Sequence, residues 1–198
     1  MSQYLLCPNM DTSPGLRMSD NGSCNKIIWR KGHKIDLNKF DLSNLEFLCE
    51  TLPSGGMTDY AVSDMGCSVV SERFKQFLDS LKINTIEYFP ATMIEREGEP
   101  AKSGYYAANI LGLIDCIDKD ASEMDAEPND EGELTIIFSI DKLVLKDTPF
   151  SQEPIHRAAH FTRLILINEL TKQKIKESGL TGIRLVAPER WDGINGEL

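Results

Sequence analysis

The stretch from Val69 to Pro90, VVSERFKQFLDSLKINTIEYFP, constrains the fold more than any other part of the chain. Ser71 is placed to cap a helix, because its hydroxyl can accept a hydrogen bond from a free N–H group of the first turn. Four large apolar residues follow at helical spacing: Phe74, Phe77, Leu78 and Leu81. This spacing predicts a helix that packs through one face. The segment Thr85–Phe89 is β-branched and aromatic and predicts a short strand that ends at Pro90, since proline has no N–H to donate.

A second capped helix is predicted near the C-terminal end. Asn168 resembles an N-cap, and the helix is expected over Glu169–Ser178. Leu170 and Ile175 are expected to face inward. Gly179 supplies the left-handed residue that ends many helices. The chain therefore contains two principal helices, and each is followed by a short strand.

The remaining apolar segments predict strands separated by turns rich in Gly, Pro, Asn, Asp and Ser. These segments are Tyr4–Cys7, Lys26–Trp29, Leu45–Cys49, Tyr105–Ile114, Leu134–Ile140, Phe161–Ile167 and Ile183–Val186. The run Tyr105–Ile114 is apolar on both faces, which is typical of a strand in the middle of a sheet. The predicted class is α+β, with two helices packed on one mostly antiparallel sheet. Residues 1–66 are expected to form a strand- and turn-rich part of the same domain as the α+β region 67–198.

Composition excludes several classes of function. A chain of 198 residues with a formal net charge of −10 is not expected to bind nucleic acid, because phosphate contacts need clustered Lys and Arg. No apolar run approaches the roughly 20 residues that cross a bilayer. The N-terminal residues lack the pattern of a secretory signal, so the expected location is the cytoplasm. The cysteines have no C-x-x-C spacing and are expected to be free thiols: Cys7, Cys24, Cys49, Cys67 and Cys116.

The segment Asp115–Glu133 is dominated by acidic residues, and Lys119 is its one basic residue. Its first interpretation is a solvated loop; a surface for an electropositive protein partner comes second and a cation site third, because the spacing is not that of an EF-hand. If the segment binds a protein, the candidate contact residues are Asp118, Asp120, Glu123, Asp125, Glu127, Asp130, Glu131 and Glu133.

No catalytic motif is present: the sequence has neither a nucleophile elbow nor a phosphate-binding loop. His156 and His160 have the i, i+4 spacing of a helical metal pair, but Arg157 stands where a zinc protease has glutamate. Surface histidines are the favoured interpretation. The tail from Pro188 is expected to be loosely held, and core packing is expected for Trp29. No metal, cofactor or catalytic residue is therefore predicted.

Several segments in order resemble the immunity-protein eleven family of bacterial polymorphic toxin systems. They are VVSERFKQFL, IEYFP, YYAANILGLIDCID followed by the acidic stretch, IDKLVL, and ILINELTKQKIKESGLTGIRL. The resemblance covers about Cys67 to Val186. It implies a non-enzymatic protein, encoded beside a toxin gene, that binds the toxin and protects the producing cell. The matching residues have structural explanations as cap, core, strand end or turn, so no binding role is transferred to them: Ser71, Glu72, Phe74, Pro90, Asp115, Asp118 and Gly182.

Three functions follow from the sequence. The first is a binding protein that neutralises a cognate toxin, for example a basic nuclease whose groove would meet the acidic segment. The second is an enzyme or metal-binding protein that uses His156 and His160. The third is a regulatory or scaffold domain with another protein partner. The sequence leaves the oligomeric state open.

Overall fold

The computed structural model describes residues 2–19, 26–128, 134–147, 152–191 and 193. The strands are β1 (Gln3–Pro8), β2 (Gly15–Met18), β3 (Leu45–Thr51), β4 (Tyr60–Val62), β5 (Ser68–Ser71), β6 (Ile86–Ile94), β7 (Lys102–Ile110), β8 (Leu113–Ile114), β9 (Glu123–Pro128), β10 (Leu134–Lys142), β11 (Ile155–Ala158), β12 (Ile165–Asn168) and β13 (Ile183–Val186). The α-helices are α1 (Glu72–Ser80) and α2 (Glu169–Ser178), and short 3₁₀ helices cover Lys26–Arg30 and Pro188–Arg190. Across the described residues, no helix is long and apolar enough to span a membrane.

The strands form two larger sheets and a separate two-stranded ribbon. The six-stranded sheet has the order β2-β3-β6-β7-β5-β4, the five-stranded sheet has the order β13-β1-β12-β11-β8, and β9 pairs with β10. Pairing is antiparallel except for β3 with β6 and β11 with β8. The predicted α+β class and the mostly antiparallel pairing are confirmed, but the strands are divided among three sheets instead of one.

The apolar run Tyr105–Ile114 belongs to two sheets. β7 lies between β6 and β5, and its last four residues are buried, as expected for an interior strand. Gly112 then adopts a φ of +87°, and the chain crosses to the second sheet as β8. The prediction of a central strand is confirmed for the first part of the run, and the break follows because glycine reaches positive φ at little cost.

Helix α1 begins where its capping residue predicted. The backbone N–H of Phe74 donates to Ser71 Oγ over 3.1 Å. Phe74 and Leu78 are buried, and Phe77 and Leu81 are partly buried against the same apolar cluster. The one-faced packing predicted from the spacing is confirmed.

Helix α2 also has the predicted bounds and caps. Asn168 Oδ1 accepts from the Thr171 N–H over 2.8 Å, and Gly179 ends the helix at φ +65°. Ile175 is buried as expected, but the inward position predicted for Leu170 is wrong, since this side chain is 59% exposed. Thr171 takes the inner position instead, because residues 171 and 175 share a helix face and residue 170 is turned about 100° from it.

Asp59, which is nearly buried just before β4, joins the two helices. Its carboxylate accepts from Ser71 Oγ over 2.7 Å and from the Thr181 N–H over 2.8 Å. Arg73 Nη1 donates to the same carboxylate over 3.2 Å, and Arg73 Nη2 donates to the Ser178 carbonyl over 2.7 Å. One acid therefore connects the start of α1 to the end of α2.

Two strand predictions are wrong, because an apolar composition indicates burial but does not distinguish a strand from a turn or a 3₁₀ helix. Lys26–Trp29 lies in a 3₁₀ helix, although Trp29 is fully buried as expected. In the segment Phe161–Ile167 only the last three residues are in a strand. Phe161 and Leu164 are buried in a turn, closed by a 3.0 Å bond from the Leu164 N–H to the Phe161 carbonyl. Buried turns and buried strands can have the same apolar composition.

Two predicted element ends are also wrong. Strand β6 continues through Pro90 to Ile94, and its pairing with β3 begins only opposite Ala91, so a missing N–H is tolerated at Pro90 on that side. The tail is not loosely held at Trp191, which is buried and makes an edge-on ring contact with Phe161 at 5.9 Å. A large aromatic side chain is held by the area that it buries.

Candidate functional site

Part of the acidic segment, Glu123–Pro128, is the strand β9, where the sequence predicted a solvated loop. In β9, exposed Glu123, Asp125 and Glu127 alternate with partly buried Met124 and Ala126. Successive side chains on a strand point to opposite faces, so this alternation is that of a half-buried strand. In the sequence, the high proportion of acidic residues makes this two-residue alternation of apolar side chains difficult to recognise.

Strand β10 completes the ribbon and shows the same division. Ile137 and Ile140 are buried, and they pair with Ala126 and Met124 of β9. This inner face packs in an apolar cluster that includes Phe161 and Trp191. The ribbon is therefore fixed to the body of the domain through its inner face.

The outer face of the ribbon combines acids with exposed apolar side chains. Glu127 lies opposite Ile136, and directly paired residues share a face. Phe138 lies at a register shift between Ile137 and Ser139, and Ile136 and Phe138 are exposed to 52% and 51%. We call the outer surface the acidic face and define it by Glu123, Asp125, Glu127, Ile136 and Phe138. A neighbouring cation is Lys142, whose Nζ lies 3.9 Å from Glu123 Oε1.

The other candidate acids have different positions. The Asp118 carboxylate accepts from the backbone N–H groups of Asp120 and Ala121, each over 3.1 Å, so it shapes the turn before β9. Asp120 is exposed on that turn. Asp130, Glu131 and Glu133 lie outside the described residues. The structure thus places Glu123, Asp125 and Glu127 on one surface and gives Asp118 a local structural contact.

Backbone hydrogen bonds hold the base of the ribbon. The Asp118 N–H donates to the Val144 carbonyl over 2.9 Å, and the Lys146 N–H donates to the Cys116 carbonyl over 2.8 Å. Lys146 Nζ also lies 2.7 Å from Asp115 Oδ2. The acidic face is therefore presented on a support that is bonded at its base and packed along its inner side.

The two histidines do not form the helical pair that their spacing allowed. His156 lies in β11 and is buried, so its interpretation as a surface residue is wrong. Among the described residues, neither ring nitrogen of His156 has a hydrogen-bond partner, and burial lowers the pKa of His156 from 6.5 to about 4. His160 lies in a turn at φ +66°. Within the described part of the chain, no group of three or more His, Cys, Asp or Glu side chains could hold a metal ion.

The four described cysteines are all buried: Cys7, Cys49, Cys67 and Cys116. Burial raises the pKa of the Cys49 thiol to about 11 and that of Cys116 to about 12. Thiols with raised pKa values stay protonated at neutral pH and are poor nucleophiles.

A second feature, which the sequence did not reveal, is a cavity of about 250 Å³ between strands of the two larger sheets. Arg30, Arg157 and Arg163 line it, together with apolar side chains from β1 and β12. We call it the arginine cavity. The sequence gives no clear signal for it: Arg157 and Arg163 lie within the segment IHRAAHFTR, and Arg30 comes from a distant part of the chain.

The structure thus defines a largely antiparallel α+β domain with an acidic and partly apolar outer ribbon. This chain belongs to the immunity protein family Imm11, whose family model matches residues 23–188. The match confirms the resemblance found in the sequence and begins well before Cys67, so β3 and β4 are also part of the family region. None of the curated proteins matches the chain.

Proposed function

We propose that this protein binds a cognate bacterial toxin and neutralises it by covering the surface that the toxin needs, without catalysis of its own. The observation that supports this function is the match to an immunity protein family over residues 23–188. An inhibitor of this kind buries roughly 800 Å² on each partner, which a folded surface can provide without reactive side chains. The expected place of action is the cytoplasm.

We further propose that the acidic face is the surface presented to the toxin. Protein interfaces combine an apolar centre, enriched in aromatic residues, with a polar rim. Phe138 and Ile136 supply exposed apolar groups, and Glu127 lies directly opposite Ile136. The hydrogen-bonded base and packed inner side of the ribbon limit the ordering that binding would require, which favours affinity.

Charge indicates what kind of toxin surface would fit. The chain has a formal net charge of −10, and the acids on β9 are exposed. Acidic residues that face a basic partner accelerate association, and the acceleration weakens as salt is added. A toxin that cleaves nucleic acid needs a basic groove for its substrate. The acidic face would occupy that groove and exclude the nucleic acid.

The function is tested by expressing the neighbouring upstream reading frame with and without this protein. We expect growth arrest without it, rescue with it, and co-purification of the two chains. Growth arrest that this protein does not relieve would exclude immunity against that toxin. A reading frame without toxicity would count against the proposal for this gene pair.

The surface is tested with matched charge variants. In the first variant Asp120, Glu123, Asp125 and Glu127 are changed to the corresponding amides. In the control the same change is made at four acids that lie elsewhere: Glu97, Glu99, Glu153 and Glu177. We expect the ribbon variant to associate about tenfold more slowly at low salt, with a weaker salt dependence. Equal association rates for the two variants would remove the ribbon from the interface.

A further inference from the structure

The arginine cavity collects positive charge in a chain that is acidic overall. Among the described residues that line it, three are arginines and none is Asp or Glu. Eight ion pairs are present in the described parts of the chain, and none of them includes Arg30, Arg157 or Arg163. The three guanidinium groups thus have no carboxylate partner in the described structure.

Within the described structure, the Arg157 guanidinium donates its hydrogen bonds to backbone carbonyls. Its side chain is 1% exposed, and it donates to the carbonyls of Ile110 over 3.1 Å, Thr162 over 2.7 Å and Trp29 over 2.9 Å. A guanidinium has five N–H groups, so these bonds use three of them. Carbonyl oxygens solvate the cation but do not neutralise it. A fixed positive charge therefore remains at the wall of the cavity.

The other two arginines add to this field. Burial lowers the pKa of Arg30, and the nearby charge of Arg163 lowers it further. Burial also lowers the pKa of Arg157, and the charge of Arg30 acts in the same direction, while Tyr60 and Cys67 act in the opposite one. Like charges that repel each other in a partly buried site favour an anion that binds between them.

The Arg30 guanidinium lies close to the backbone at Gly66. Gly66 has a φ of +70°, and a β-carbon at this position would collide with the Arg30 guanidinium. Glycine at this turn therefore allows the guanidinium to lie directly against the backbone. Tyr60 and Ser68, whose hydroxyl oxygens are 3.4 Å apart, supply neutral polar groups to the same cavity.

We propose that the arginine cavity binds a small phosphate monoester, with Arg30 and Arg163 contacting the phosphate, Arg157 supplying fixed positive charge, and the apolar wall contacting a short organic group. Arginine forks match the geometry of phosphate oxygens, and three cations suit a dianion better than a monoanion. Leu5, Leu164 and Phe161 form part of the apolar wall. A volume of about 250 Å³ restricts the ligand to a small molecule. This site is independent of the proposed binding of a toxin.

The experiment is a calorimetric titration of the full-length protein with inorganic phosphate, phenyl phosphate and benzoate. We expect phenyl phosphate to bind one molecule per chain with a dissociation constant between micromolar and millimolar, in competition with inorganic phosphate. Benzoate should bind at least about tenfold more weakly, because it has one charge where the phosphate has nearly two. Benzoate that binds as tightly as phenyl phosphate would overturn the assignment to phosphate.

Variants locate the site. Arg163 is exposed, so Arg163→Gln should leave the fold intact and weaken the binding of phenyl phosphate at least about tenfold, the loss of one charge-assisted contact. Arg96→Gln, which removes the same charge away from the cavity, should leave binding unchanged. No saturable binding, or equal loss in both variants, would overturn the proposal.

A final variant tests whether the chain supplies its own anion. Asp192 lies between two residues that line the cavity, Trp191 and Gly193, and is itself outside the described residues. Phenyl phosphate should bind the unaltered protein, and Asp192→Asn should change its affinity by less than about threefold. Binding that appears only in Asp192→Asn would overturn the proposal, because the carboxylate of the chain would then be the ligand of the arginines.

Discussion

The acidic face and Arg157 of the arginine cavity place charges of opposite sign in opposite surroundings. Glu123, Asp125 and Glu127 are exposed on β9, where water and salt screen each charge. Arg157 is nearly inaccessible, and its interactions are with backbone carbonyls from three separate segments. The sign and number of charged residues therefore do not determine by themselves what those residues do. Burial decides whether a charged residue stabilises the fold or is available to a partner.

The largest effect that we expect is on stability, from Arg157→Met. This change leaves the carbonyls of Ile110, Thr162 and Trp29 without their charged donor, while methionine retains much of the apolar volume. The free energy of unfolding should fall by about 3 to 5 kcal/mol, measured by urea denaturation. Arg163→Gln, on the exposed side of the same cavity, should change it by less than about 1 kcal/mol. Similar values for the two variants would show that burial does not determine how much each arginine contributes to stability.

Asp59 extends the comparison of buried and exposed charges to a buried acid whose two carboxylate oxygens both accept hydrogen bonds. Asp59→Ala removes the acceptor for Ser71, Arg73 and Thr181, and we expect a loss of about 2 to 4 kcal/mol in the free energy of unfolding. The control is Asp125→Ala on the exposed ribbon, with an expected change within about 0.5 kcal/mol. A small effect at Asp59 would mean that water replaces its hydrogen bonds at little cost.

His156 predicts a pH dependence that comes from burial alone. In the folded protein the pKa of His156 is about 4, below the ordinary value of 6.5. Between pH 4 and pH 6.5 the imidazole is therefore protonated in the unfolded chain but neutral in the folded protein. This residue therefore lowers stability as the pH falls from 6.5 toward 4, by up to about 3 kcal/mol. Above pH 6.5 both states are neutral, and the effect disappears.

The measurement for His156 is the free energy of unfolding of the unaltered protein and of His156→Leu across this pH range. As the pH falls, the unaltered protein should lose stability relative to His156→Leu. The comparison isolates His156, because the acids that titrate in the same range are common to both proteins. His33→Gln, at an exposed position, serves as the control and should leave the curve parallel to that of the unaltered protein. Parallel curves for His156→Leu would show that the buried imidazole is protonated in the folded state.

The smallest change in stability is expected on the acidic face, where the effect should appear in binding instead. Phe138→Ala should weaken toxin binding by about 2 kcal/mol, roughly 30-fold, and change stability by less than about 0.5 kcal/mol. Leu170→Ala removes a comparably exposed apolar side chain from α2, where 59% of Leu170 is accessible, and should leave affinity unchanged. Binding by surface plasmon resonance distinguishes them, and equal affinities would place the interface elsewhere.

Local signals in the sequence predicted the helices well. Ser71 and Asn168 cap their helices through bonds that span only three residues, so the information lies next to the element that it defines. The spacing of Phe74 and Leu78 predicted the buried face of α1 for the same reason. The ribbon strand β9 was missed because its charges were counted as a run, although Met124 and Ala126 already gave the alternation of a strand.

The sequence by itself determined the α+β class, the two capped helices and the family to which the chain belongs, since caps, periodicity and segment order are properties of neighbouring residues. Only the tertiary structure decided that the strands form separate sheets, that Pro90 lies inside a strand, and that Arg30, Arg157 and Arg163 meet at one cavity. The physical reason is that burial and strand pairing depend on residues far apart in the chain. No local pattern contains that information.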